Sequence, residues 1–180
     1  MSELEQNKED SQYKFEEYLV GCDEAIEKYM TFPNGVYYKL AHNPIIENDE
    51  LPNPLQKWDN LTNTSEELKH QIEDASSIEE QWKHVHNYSP SYFISDDALA
   101  IFFIGELHRR KTQRQKEKLL ERKGDTIIAV KLTPNDGRIS SPDEKGHVVF
   151  APYKDFKLEE HQDKTWEPKK LLDYNIKKNE

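Results

Sequence analysis

The order in which helical and extended segments follow one another constrains this chain most. Its strongest extended segment is Thr126-Ile-Ile-Ala-Val-Lys-Leu132, rich in β-branched and aliphatic residues. Val36-Tyr-Tyr-Lys-Leu-Ala41 reads as an earlier strand, and Tyr92-Phe-Ile94 and His147 to Phe150 as shorter ones. Upstream, Phe15, Tyr18, Leu19, Cys22, Ile26, Tyr29 and Met30 recur at helical spacing, which predicts one N-terminal helix ended by Pro33-Asn34-Gly35. Thr64-Ser-Glu-Glu67 and Ser77-Ile-Glu-Glu80 have the form of capping boxes and open helices over about 65–75 and 78–86. Ser95 caps a long helix from near Asp96 to Gly124-Asp125, with an apolar first half and a basic second half.

The predicted order is α-β-α-α-β-α-β-β. No glycine-rich turn joins a strand to a helix, so Rossmann and P-loop nucleotide sites have no support. Few, unevenly spaced strands predict an α+β fold: a small, mainly antiparallel sheet packed by the N-terminal helix and one long central helix. Residues 1–10 read as a disordered tail, 11–158 as a single domain and 159–180 as a charged C-terminal tail. Trp166, Leu171, Leu172 and Tyr174 offer that tail a way to dock back.

Charge narrows the function classes. The net charge of −10 opposes non-specific attraction to nucleic acid. From His108 to Lys123, however, eight Lys/Arg and two Glu give +6, leaving −16 for the rest. The basic segment is either a solvated helix end, a docking face for an acidic protein, or a phosphate contact. It has no aromatics on which bases could stack. The docking reading assigns partner contact to Arg109, Arg110, Lys111, Arg114 and Lys118. No run is apolar for the roughly 18 residues of a membrane span, the acidic start lacks signal-peptide character, and the single Cys22 fits a reducing compartment. These features predict a cytoplasmic protein.

Few constellations carry chemistry. Cys22 lies on the apolar stripe and reads as a core residue. His84 and His86 are spaced for a metal on an extended chain, but no third ligand follows from spacing, so no metal is expected. His147 reads as structural. Gly-x-Ser-x-Gly, His-Glu-x-x-His and Gly-x-x-x-x-Gly-Lys-Ser/Thr motifs are absent.

Tyr37-Tyr-Lys-Leu-Ala-His-Asn-Pro44, Asn48-Asp-Glu-Leu-Pro52, Tyr92-Phe-Ile-Ser95, Thr126 to Leu132, Asp136-Gly137 and Gly146-His-Val-Val-Phe150 occur in this order. Together, over about residues 36–153, they resemble small bacterial proteins of unknown function, some of which resemble the ADP-ribosyltransferase fold. That resemblance implies NAD as cofactor, an Arg or His from the first strand, a Tyr or Ser from the second, and a later acid. Lys39, His42, Tyr92 and Ser95 occupy the first two elements here, whereas Val148 to Phe150 carries no acid. The leading expectation is a non-catalytic interaction protein of accessory or immunity type. The alternative is a small NAD-using transferase.

Overall fold

The computed structural model describes residues 13–56 and 77–175. The expected disordered tail and the helix over 65–75 lie outside them.

Seven strands form one sheet: β1 (Met30–Thr31), β2 (Gly35–Ala41), β3 (Ser91–Phe93), β4 (Thr126–Leu132), β5 (Gly137–Ser140), β6 (His147–Pro152) and β7 (Lys169–Lys170). They lie in the order β1-β5-β6-β3-β2-β4-β7, and every pair is antiparallel. Among the described residues the α-helices are α1 (Asp23–Tyr29), α2 (Ile78–Asn87), α3 (Asp96–Arg109), α4 (Gln113–Lys123) and the single turn α5 (Leu158–His161). The α+β class read from the sequence is the fold observed.

Connectivity forces this sheet to curl. β4 and β5 are consecutive in the chain yet four strand spacings apart in the sheet, about 19 Å if it were flat. Residues Thr133 to Asp136 join them, and that link is turned back on itself by Asp136 N–H donating to Thr133 O (3.0 Å). Even fully extended it would reach only about 18 Å. β6 makes the bend: His147, Val148 and Val149 pair with β3, and Phe150, Ala151 and Pro152 with β5.

Side chains alternate across the sheet with period two. Tyr92, Ile128, Val130, Leu132, Ile139, Val148 and Phe150 form the inner core, closed by Phe156 and Leu158. On the outer face, Leu40, Phe93 and Ile127 lie beneath α3 and α4. Val149 and Ala151 lie beneath α1 and α2, where Tyr29 stacks on Trp82 and Tyr18 on Tyr88.

Two helices differ from expectation. The N-terminal stripe is buried as its spacing predicts, but it is not one helix. A 3-10 turn (Glu16–Tyr18) leads to Gly21 at φ +78°, a left-handed conformation that glycine adopts without a Cβ penalty. The helix starts only at Asp23, and Met30 already belongs to β1. The long central helix is two. Arg110 is extended, and Thr112 starts α4 afresh: its hydroxyl accepts from Gln115 N–H (3.2 Å), while Gln115 Oε1 accepts from Lys111 N–H (3.0 Å). Gly124, at φ +85°, then passes so close to the Ala41 backbone that a Cβ would collide with it.

The described part of the charged tail, to residue 175, is docked. β7 pairs with Thr126 and Ile127 of β4, Leu171 is buried, Trp166 meets Tyr38 edge-on, and Tyr174 donates its hydroxyl proton to Asp96 (2.8 Å). Leu172 instead faces outward.

Candidate functional site

The sheet forks between β2 and β3. β2 pairs with β4 at every position from Gly35↔Leu132 to Ala41↔Thr126, but with β3 only at Tyr38↔Phe93. Beyond that point a recess opens. Lys39 and Leu40 line it from β2, Ser91 from β3, Phe103 from α3 and Lys123 from the end of α4. Leu51, Asn53 and Gln56 line it from the following loop.

Two ammonium groups dominate its electrostatics. Lys39 is 5% exposed, with Nζ 5.1 Å from the Tyr92 ring centroid. Burial pushes its pKa down to about 8, against the pull of Asp49 and Glu50. Lys123 is half-buried, and burial, then the charges of Lys39 and Arg122, push it down to about 7. Among the described residues neither ammonium has a hydrogen-bond or ion-pair partner. The acids near Lys39 are committed elsewhere. Asp49 accepts from His42 N–H (3.0 Å) and Ile46 N–H (2.9 Å) and meets His42 Nδ1 at 2.8 Å. Glu50 accepts from Leu158 N–H (2.6 Å) and lies 3.6 Å from Lys14 Nζ. Gln56 Nε2 donates to the carbonyls of Leu51 (3.2 Å) and Asn48 (3.4 Å), while its buried Oε1 has no partner among the described residues. Such amines act as nucleophiles while neutral or as an anion cradle while charged.

Of the four residues implied by the transferase resemblance, the structure brings together Lys39 and Tyr92. They share the inner face on neighbouring strands, and burial pushes the Tyr92 hydroxyl well above its ordinary range. His42 is held elsewhere, between Asp49 and the Glu121 carbonyl (Nε2 to O, 2.7 Å), so neither ring nitrogen is left to serve as a base. Ser95 caps α3, accepting from Ala98 N–H at 3.1 Å.

The basic residues crowd the corner where α3 breaks from α4. Arg109, Lys111 and Arg114 are exposed, while Arg110 and Lys118 are half-buried. Arg109 pairs with Glu106 at 2.6 Å, and Arg110 reaches the same carboxylate at 3.8 Å.

His84 and His86 lie on a helix rather than an extended chain, so their spacing sends the rings apart. His84 packs on Tyr88, and His86 faces His147 with 5.5 Å between ring centroids. Among the described residues no three metal-ligating groups converge. Cys22 is fully buried, and burial followed by the Asp23 charge pushes its thiol up to about 11, so it is an inert core residue. No helix among the described residues is long and apolar enough to cross a membrane.

Sequence reasoning missed Gln56 and the role of Lys123. Lys123 stood in the basic run as one cation among eight, although its place just before Gly124 put it at the end of a helix. No family model, curated protein or solved structure matches the chain.

Proposed function

We propose that the chain is a non-catalytic, cytoplasmic interaction protein of accessory or immunity type that docks an acidic protein through its basic corner. The observation that carries this reading is the exposure of Arg109, Lys111 and Arg114 around one helix break on a chain of net charge −10. Complementary charge speeds encounter and selects partners. Glu106 supplies only one carboxylate against Arg109 and Arg110. Partly exposed surface pairs of this kind contribute about 0–1 kcal/mol, so their loss should cost the fold little. Changing Arg109, Arg110 and Arg114 together to Glu is expected to leave the melting temperature nearly unchanged. It is also expected to abolish capture of the partner that co-purifies with the tagged wild type, a capture that weakens as salt rises. Equal capture by the triple variant would sink this reading.

A second reading, the NAD-using transferase, is favoured by the contact between Lys39 and the Tyr92 ring. Against it, Lys lacks the bidentate fork of Arg, and the inward positions of β6 are Val148 and Phe150. NAD at 100 times its Kd should stabilise the fold by about 2.7 kcal/mol. No thermal shift at millimolar NAD would end this alternative.

A further inference from the structure

We propose that the fork between β2 and β3 is a binding site for a small oxyanion, the phosphate or carboxylate group of a ligand, held between the ammonium groups of Lys39 and Lys123. This site is separate from the basic corner and does not depend on it. The fork supplies an opening in the sheet where strand pairing stops after Tyr38↔Phe93. Two cations from distant parts of the chain line that opening. Lys123 is pushed down by burial and by the Lys39 charge, and each amine loses hydration there without gaining a hydrogen-bond or ion-pair partner among the described residues. Like charges brought together in a desolvated recess are costly, and an anion between them removes both the repulsion and the missing solvation. Neither nearby acid fills that role, because Asp49 is occupied by His42 and Ile46, and Glu50 by Leu158 and Lys14. Gln56 lines the same recess, with a buried Oε1 that has no donor among the described residues. A monohydrogen phosphate satisfies the whole set, with anionic oxygens for the lysines and a P–O–H for Gln56. A carboxylate flanked by a hydroxyl does the same.

The test is a titration of the whole chain with sodium phosphate, and in parallel with sodium lactate, against sodium chloride at matched ionic strength. Melting temperature is followed for wild type, Lys39→Met, Lys123→Met and the triple Glu variant at the basic corner. The expected result is a saturable rise in wild type with phosphate, lactate or both. The rise should be retained in the triple variant and weakened at least tenfold in apparent affinity in each lysine variant. The arm that responds identifies the oxyanion. A response no larger than that to chloride, or one kept in both lysine variants, overturns the proposal. Reductive ¹³C-methylation of the wild type keeps the proposal testable if a lysine variant fails to fold. Two dimethyl-lysine resonances should titrate below the others and move to higher pH when the oxyanion is added. Absence of that movement overturns it equally.

Discussion

Phe150 stands where β6 leaves β3 for β5, so its replacement measures how closed the curled sheet is. The side chain is fully buried, with its ring edge-on to Tyr92 (5.5 Å between centroids) and to Phe156 (5.1 Å). Phe150→Ala removes the transfer free energy of the ring and leaves a cavity that surrounding strands cannot refill, for a cost of about 3–5 kcal/mol. At roughly 2–4 °C per kcal/mol for a chain of this size, the melting temperature should drop by roughly 6–20 °C. Urea unfolding should show a lower midpoint with an unchanged slope, since the surface exposed on unfolding is nearly the same. A double-mutant cycle with Phe156→Ala should give a coupling of about 0.5–1.5 kcal/mol from the ring pair. Leu172→Ala, on the outside, is the control and should stay within about 0.5 kcal/mol. A loss below about 1 kcal/mol for Phe150→Ala would mean that the inner face is open to water and that the sheet does not curl as described.

The N-terminal stripe makes a sharper contrast. Leu19→Asp or Ile26→Asp should unfold the protein by burying an unpaired charge, whereas Val20→Asp, at a position 64% exposed, should melt like wild type; equal behaviour of all three would remove this segment from the core. Stability should also fall in mild acid. Burial holds His84 and His86, and burial with the His86 charge holds His147, below the ordinary imidazole range. The unfolded chain therefore takes up protons first, so the stabilisation is complete above about pH 7 and is lost as pH drops through about 6.5 and below. His86→Phe should flatten the decline in melting temperature between about pH 7 and 5, and a wild-type profile already flat there would refute the assignment.

The parts of the fold legible in the sequence were those whose pattern is local. β4 and β2 each carry a run of strand-forming side chains, and Ser77 and Ser95 announce α2 and α3 through capping bonds that the structure contains. β5 was missed because its four residues hold one aliphatic side chain, Ile139, and no alternation shows over so short a span. β1 was absorbed into the helix because Met30 continues the stripe at helical spacing. The break at Thr112 did carry a signal, Thr-Gln-Arg-Gln, but the unbroken run of cations across it concealed the cap. Lys39 and Tyr92 were singled out together only by the transferase resemblance, because reading β2 and β3 as strands does not say that they are neighbours. The approach of Lys123 to Lys39 could not be read, because it depends on which strand α4 ends against, a register set by the Gly124–Ala41 contact across the fold.

The pairing of β2 with β4 also sets a schedule for synthesis. Ala41 bonds opposite Thr126, and Met30 opposite Ser140, so apart from the single Tyr38–Phe93 bridge to β3 the N-terminal strands have no sheet to join until most of the chain exists. At about 5–20 residues per second, β2 waits roughly 4–17 s after its own translation before Thr126 emerges beside it. Such long-range pairing places the protein among slow folders. During that interval Tyr37, Leu40 and Ala41 remain unpaired strand surface, a natural substrate for holding chaperones and, where these are scarce, for aggregation between nascent copies.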